Sequence, residues 1–225
     1  MDKILTIKQQ VYSIIQKRIA DGTYIHGQHL QEIEIADELS VSRTPVREVI
    51  KQLVSEGILI DEPNKGAYIK QFSEKEMTDI YAVKMLIECY AIDFISQYPQ
   101  CFPGPDLRKV KENILALNGE EIDYVVEKEI NPHDVFVEAT GNNYLIEMHR
   151  RVSYSTMTYY WALFEGKNYD INIRQHIDII DALLEFDFAK AKESLVNHLI
   201  FSRDVICKAI HDLESGDIQR PSANK

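Results

Sequence analysis

The 225-residue chain lacks any long hydrophobic run and carries only three cysteines. Because no stretch of about eighteen apolar residues exists, no transmembrane helix is expected. The first residues contain no apolar segment with a small-residue cleavage site, so we predict no signal peptide. Cys89, Cys101 and Cys207 form no closely spaced pair, which favours a reducing cytoplasm over a disulfide framework or a cysteine metal site.

Positive charge is also scarce, because the formal net charge is −11. This balance at first argues against a nucleic-acid partner. The acidic excess is uneven, however: residues 1–71 hold nine Lys and Arg against ten Asp and Glu, whereas residues 72–225 hold sixteen against twenty-six. The first part is therefore close to neutral, and its basic residues can still gather on one face. Charge alone neither indicates nor excludes DNA binding.

Apolar spacing in the first part predicts three helices followed by a β-hairpin. The helices are expected over about Thr6–Ala20, Gln31–Leu39 and Ser42–Glu56, with Ser42 as the N-cap of the third. Short apolar runs on either side of Pro63-Asn64-Lys65-Gly66 predict the hairpin. Two short helices joined by a tight turn and followed by a hairpin are typical of a winged helix-turn-helix, which is a DNA-binding fold.

Side chains at the start of the third helix are the candidates for base contacts. Apolar residues farther along can pack this helix onto the domain, which leaves Arg43, Thr44 and Arg47 outward at its N-terminal end. An arginine can bond both major-groove acceptors of a guanine at once. Lys65 and Gly66 at the hairpin tip allow a close approach to DNA. The alternative is an ordinary helix with solvated arginines, and the residue types alone do not decide between the two.

From Phe72 onward the pattern predicts helices only. Ser73 and Glu76 predict a capping box that opens a long helix to about Ser96. Further helices are predicted over about Leu107–Leu117, Glu120–Ala139, Asn143–Phe164, Ile171–Phe186 and Phe188–Leu213. Residues 216–225 are polar and predicted to be disordered. We therefore expect a mainly α-helical protein, with a DNA-binding domain over residues 1–71 and an all-helical bundle over residues 72–215.

Four residues of the helical half are candidate ligands of a divalent transition metal: Glu129, His133, His176 and His198. Glu129 and His133 are four residues apart and share a face if their helix is continuous. His176 and His198 have apolar neighbours and can face the interior of a bundle. Three imidazoles and a carboxylate suit zinc or nickel. The alternative for each histidine alone is a satisfied core or surface residue.

The stretch Val41-Ser42-Arg43-Thr44-Pro45-Val46-Arg47-Glu48 resembles the signature of the GntR family of bacterial transcriptional regulators. The likeness covers about residues 6–70, and it implies that Arg43 and Arg47 contact bases, with Ser42, Thr44 and Gly66 placed at the DNA.

Two residues depart from that family pattern. Ile33 stands where many members carry a DNA-contacting arginine, so that contact is missing or replaced. Ser40 replaces the usual turn glycine, which should cost little if its backbone is not left-handed.

The second half resembles the FCD ligand-binding domain found in the FadR branch of the family, over about residues 73–213. The matching segments are Glu129 with His133, Gly141-Asn142-Asn143-Tyr144-Leu145, Gln175-His176 and Asn197-His198-Leu199. The resemblance implies a metal held by Glu129 and the three histidines. It also implies a small carboxylate-bearing effector beside the metal, with Lys84 and Asn142 as candidate contacts.

Two further departures concern this half. Many members have an arginine at the position of Lys84. An arginine can form a bidentate hydrogen bond with a carboxylate, and a lysine cannot. Pro132 disfavours helix at Asn131, so the helix could instead start at Pro132 with Asn131 as its cap. Glu129 would then approach the site from a loop or not reach it.

These features predict a cytoplasmic transcriptional repressor that binds a two-fold symmetric operator in double-stranded DNA as a homodimer and responds to a small organic acid. Two alternatives stay open: the metal itself is the signal, or the chain is a metal-dependent hydrolase, since such a centre can activate water. No general base or nucleophile constellation accompanies the histidines. We therefore predict a regulator and no enzyme.

Overall fold

The computed structural model describes residues 5–20, 23–116, 131–164 and 169–215. It is mostly helical, with a three-stranded sheet in the N-terminal part, which confirms the predicted fold class. The buried apolar residues form two clusters, one drawn from the chain between Val11 and Ile69 and one from the chain between Phe72 and Ile210. None of the described helices is long and apolar enough to cross a membrane.

The N-terminal part contains three helices and three short strands. In chain order they are α1 (Ile7–Ala20), β1 (His29–Leu30), α2 (Glu32–Glu38), α3 (Arg43–Ser55), β2 (Leu59–Glu62) and β3 (Gly66–Ile69). The strands are antiparallel in the order β1-β3-β2. Strand β1 was not predicted, because two residues are too short to show the two-residue period of a strand. The helices and the hairpin otherwise lie where the apolar spacing places them.

The helical part begins with a well-capped helix. The Ser73 side chain accepts a hydrogen bond from the backbone of Glu76, and the Glu76 side chain accepts one from the backbone of Ser73, so the predicted capping box is present. The helices are α4 (Glu74–Gln97), α5 (Gly104–Leu115), α6 (Pro132–Glu138), α7 (Asn143–Phe164), α8 (Tyr169–Leu184) and α9 (Phe188–Ser215). A short 3-10 turn over Pro99–Cys101 lies between α4 and α5.

The stretch Glu120–Ala139 is not one continuous helix, because Asn131 is not helical and the alternative start at Pro132 is the one observed. Helix α6 begins at Pro132, and the Asn131 side chain caps it by accepting a hydrogen bond from the backbone of His133 at 3.1 Å. A proline fits the first turn of a helix because its missing N–H needs no partner there. Glu129 and the polar tail of residues 216–225 lie outside the described residues.

Helix α7 connects the two parts of the molecule. It packs on α4 within the helical bundle and also contacts α1 of the N-terminal part. Arg151 on α7 also faces the end of α3, since a Cβ atom added to Gly57 would lie 4.0 Å from its Nε. A shift of α7 relative to α4 would therefore change the contacts of α7 with the N-terminal part.

The turn between α2 and α3 contains a residue with a left-handed backbone. Ser40 has a φ of 53°, so its backbone is left-handed. Serine in place of the usual glycine is therefore expected to lower the stability of the fold at this turn. The N–H of Ser40 donates to the Asp37 carbonyl and the N–H of Val41 donates to the Ala36 carbonyl, which is the Schellman closure of a helix end. This closure places a left-handed residue at position 40, where glycine carries no steric penalty.

We predict that Ser40→Gly increases the free energy of unfolding by about 1 kcal/mol, because it removes the left-handed strain. The measurement is urea unfolding of the full chain. Ser13→Gly, on the exposed face of α1, is the matched control, and it should lower stability by roughly half a kcal/mol. Equal destabilisation by both substitutions would show that Ser40 is not strained.

Candidate DNA-binding surface and metal centre

The start of α3 presents the predicted base-contacting residues to solvent. Val46, Val49, Ile50 and Leu53 are buried and fix α3 on the N-terminal core. Ser42, Arg43, Thr44 and Arg47 are exposed at the N-terminal end of the same helix. This orientation is the one that a reading helix needs in order to enter a major groove.

The wing of the hairpin lies beside this helix. Gly66 has a φ of 96°, and a Cβ atom there would lie 2.6 Å from Nε2 of His29, so only glycine fits. Lys65 is exposed next to it, with its ammonium 2.9 Å from the Glu62 carboxylate. Gly66 and Arg43 line one surface groove, together with Glu32, Ile33 and Lys51. The wing tip and the reading helix therefore form a continuous surface.

The three histidines converge inside the helical bundle. His133 lies on α6, His176 on α8 and His198 on α9, and one ring nitrogen from each lies within 4.8 Å of the others. The Nε2 atoms of His133 and His176 are 3.1 Å apart. His133 and His198 are buried and His176 is half-buried. Three imidazole nitrogens at this spacing can bind a common divalent cation and leave a coordination position open.

Two neighbouring side chains fix the orientation of two of these rings. Nδ1 of His133 donates to Oε2 of Glu88 at 2.6 Å, and Nδ1 of His198 donates to Oε1 of Gln175 at 3.0 Å. In each ring this leaves the Nε2 lone pair directed away from the partner and available to a metal. Metal-binding histidines commonly have such a partner on their second nitrogen. The donor set therefore fits a transition metal such as zinc or nickel.

Glu88 is the centre of a buried polar network. Its carboxylate is fully buried, and Oε1 lies 2.6 Å from Nζ of Lys84 and 2.7 Å from Nε2 of His149. Lys84 also donates to the Ser153 hydroxyl at 2.8 Å. Nδ1 of His149 lies 3.2 Å from the carboxylate of Asp134. One carboxylate thus joins α4 to both α6 and α7.

The electrostatics of the cluster keep Glu88 ionised and the three clustered histidines neutral. Burial alone raises the pKa of Glu88, but His133 and Lys84 outweigh it and hold that pKa well below its usual range. Burial lowers the pKa of His133. Burial and the neighbouring imidazoles lower the pKa values of His176 and His198 well below the usual range. Neutral imidazole is the form that binds a metal.

The remaining predicted site residues have different surroundings. Glu129, the proposed fourth metal ligand, lies outside the described residues. Lys84 is buried beside the histidine cluster, but its charge is paired with Glu88. Asn142 is exposed, and its side-chain oxygen accepts hydrogen bonds from the backbones of Tyr144 and Leu145 at the start of α7.

Sequence reasoning missed Glu88, His149 and Ser153. A Lys and a Glu four residues apart on a helix normally indicate an exposed ion pair. Their position along the helix could have indicated burial. Lys84 and Glu88 fall on one helical face with apolar residues that are all buried, namely Met77, Tyr81, Ala91 and Ile95. Two charges in the middle of an apolar stripe indicate a buried pair.

Comparisons with known proteins agree with this architecture. The family described as "Bacterial regulatory proteins, gntR family" matches residues 7–69, and the FCD domain matches residues 79–201. The chain is a GntR-family regulator with an FCD domain. This membership confirms the prediction of a DNA-binding transcription regulator rather than an enzyme.

Three individual proteins illustrate the likeness. An uncharacterized HTH-type transcriptional regulator of Bacillus subtilis, YdhC, is 24% identical over 96% of both chains. The gluconate operon transcriptional repressor of the same organism is 31% identical over 58% of this chain and 54% of its own. The structure of E. coli McbR/YncC has a TM-score of 0.70 at 17% identity, covers 91% of this chain and 99% of its own, and supports the fold.

We predict that Glu88→Gln weakens metal binding about 10- to 100-fold, as is typical when the partner of a metal-binding histidine is lost. The measurement is competition with a chromophoric chelator on full-length protein, with folding monitored by circular dichroism. Glu112→Gln, which removes an exposed carboxylate from α5, is the control and should bind metal like the wild type. Equal affinities for the two variants would show that Glu88 does not orient His133.

Proposed function

We propose that the regulator represses transcription by binding a two-fold symmetric operator as a homodimer in the cytoplasm. Residues 1–71 would form the DNA-reading domain, and residues 72–215 the sensing and dimerisation domain. A small carboxylate-bearing metabolite, bound at or beside a divalent metal in the helical domain, would control operator binding. The observation that carries this proposal is the histidine cluster in a bundle whose helix α7 also contacts α1 of the reading domain.

The DNA contacts follow from the exposed end of α3. Arg43 and Arg47 would read bases, and Ser42 and Thr44 would contact bases or phosphates. Lys65 and Gly66 at the wing would approach the DNA backbone. One reading helix spans too few base pairs to specify a genomic site, which is the reason for proposing a dimer on a symmetric operator.

The metal would be held by His133, His176 and His198, with Glu129 as the expected fourth ligand. The ion would supply positive charge in a half of the chain whose formal net charge is −10, and it could bind an organic acid directly. One relative is a repressor of a gluconate operon, and gluconate is an organic acid. This supports an acid as the effector class.

Helix α7 is the proposed route from the sensing site to the DNA-reading domain. It carries His149 and Ser153, which contact Glu88 and Lys84, and it packs on α1. A ligand changes operator affinity only if it binds two arrangements of the protein with different affinity. A change in the position of α7 relative to α4 is the arrangement that these contacts favour.

A second candidate function is supported by the ion pair of Lys84. Because Glu88 already neutralises Lys84 at 2.6 Å, this lysine has no spare charge for an acid, and the metal itself could be the signal. Titrating operator affinity separately with metal and with organic acids distinguishes the two. An acid response only in metal-loaded protein supports the first function, whereas a response to metal alone supports the second.

We predict that Arg43→Ala and Arg47→Ala each weaken operator binding by roughly 5- to 150-fold and relax the base preference at one position. The measurement is a titration of full-length protein at fixed salt against the operator and against single-base variants of it. Wild-type binding by both variants would contradict the assignment of α3 as the reading helix.

Lys65→Ala provides the contrast within the same surface. It should weaken binding to operator and to random DNA equally and lower the salt slope by about one, as expected for a phosphate contact. A loss confined to one base position would instead show that Lys65 reads sequence.

We predict that the purified protein contains a transition metal, and that a chelator lowers its melting temperature because a ligand of the folded state alone adds stability. His176→Ala should abolish this sensitivity to the chelator. Elemental analysis of untagged protein is the direct measurement. Less than about a tenth of an equivalent of metal, with none bound on titration, would rule out the site.

Glu129→Ala separates the contribution of the Glu129 carboxylate to metal binding from that of the histidines. Weaker metal binding in this variant would support Glu129 as the fourth ligand. Unchanged affinity would leave the three histidines as the protein ligands and exclude Glu129.

A further inference from the structure

A single carboxylate contacts both candidate reading arginines. Glu32 is the first residue of α2, and Arg43 and Arg47 lie one turn apart at the start of α3. Nε of Arg47 donates to both oxygens of Glu32, at 3.1 and 3.0 Å, and Nη2 of Arg47 lies 3.0 Å from Oε2. Nη2 of Arg43 lies 3.7 Å from the same oxygen. Glu32 therefore acts on both arginines before any DNA is bound.

The contact leaves part of the Arg47 guanidinium free. An arginine has five N–H donors, and Glu32 engages the side that carries Nε. Among the described residues, none accepts a hydrogen bond from Nη1 of Arg47. The arginine side chain is 52% exposed, whereas that of Glu32 is 25% exposed. The end of the guanidinium is thus open to solvent, while its inner side is held by the protein.

We propose that Glu32 is a specificity-determining residue that positions Arg47 to read a guanine end-on through Nη1 and Nη2. This inference rests on the proposed role of Arg43 and Arg47 as reading residues. Guanine offers two acceptors, O6 and N7, on its major-groove edge, and two N–H groups of one guanidinium match them. The inner side of Arg47 stays bonded to Glu32 in the complex.

Glu32 has two opposite effects on DNA affinity. An arginine held in place before binding loses less side-chain freedom when it meets its base, which favours the correct sequence. A carboxylate on the same surface repels the phosphate backbone of every sequence. Only the first effect raises the ratio of operator affinity to random-DNA affinity, because the second acts equally on every sequence. A carboxylate that only competed with DNA would lower the affinity for both kinds of DNA by the same factor.

The experiment compares Glu32→Gln with Glu34→Gln in the full-length protein. Glu34 is exposed on the same helix and forms no ion pair with a described residue, so its variant removes the same charge without touching an arginine. The probes are an operator selected from random duplexes by the wild-type protein, a random duplex, and operators in which single guanines are replaced by 7-deazaguanine. That replacement removes only the N7 acceptor.

Both variants are expected to bind random DNA a few-fold more tightly, because each removes one negative charge. Only Glu32→Gln is expected to lower the specificity ratio, by about tenfold, and to reduce the penalty for 7-deazaguanine at one position of each half-site. In an Arg47→Ala background, Glu32→Gln should no longer change the ratio, since interacting residues are not additive.

Equal specificity ratios in Glu32→Gln and Glu34→Gln, with Arg47→Ala impaired, would overturn the role of Glu32 and leave the reading helix in place. Wild-type operator binding by Arg47→Ala would overturn both. Melting temperatures of all variants, measured in parallel, separate a loss of reading from a loss of folding.

Discussion

A carboxylate without access to water is the constraint around which the helical half is arranged. Moving an ion out of water costs several kcal/mol unless other groups compensate for it. Glu88 meets this requirement with Lys84 on its own helix, His133 on α6 and His149 on α7. Its partners fix α6 and α7 relative to α4, so that apolar packing alone does not set their positions. The ring orientation of His133, and with it the geometry of the histidine cluster, follows from the same contact.

This arrangement links the histidine cluster to the DNA-binding half through helix α7. Helix α7 contributes His149 to the buried network and contacts α1 in the DNA-binding half. Buried ion pairs have few acceptable geometries, because a small displacement leaves a charge uncompensated. A bundle with this core therefore favours discrete arrangements over gradual deformation. Regulation by a bound ligand requires such discrete states.

The DNA-binding surface also contains a carboxylate that pairs with cations, but there the pair is exposed to solvent. Glu32 also joins charged groups from two helices, but the arginines it contacts are about half exposed. Solvent and salt screen such a pair, so it contributes little to the stability of the fold. It can hold a side chain in place and still let part of that side chain bond to DNA. Burial makes the Glu88 network structural, whereas exposure makes the Glu32 pair adjustable.

Much of the architecture is determined by local sequence. Apolar spacing predicts α7 over Asn143–Phe164, the Ser73 capping box is present, and Arg43 and Arg47 lie on the exposed side of α3, because periodicity and capping act within a few turns of a helix. The family-like spacing also indicates the three histidines that cluster in the bundle. These features depend on neighbours in the chain, and a single sequence contains them.

The tertiary structure alone decided how the helices share their partners. An ion pair four residues apart, Lys84 with Glu88, is common on exposed helix faces, and only the packing of α6 and α7 shows that it is buried. The convergence of His133, His176 and His198 within 4.8 Å likewise depends on three helices that are distant in sequence. Helical periodicity states which residues share a face. It does not state which face of another helix they meet, because that is determined by packing between segments far apart in the chain.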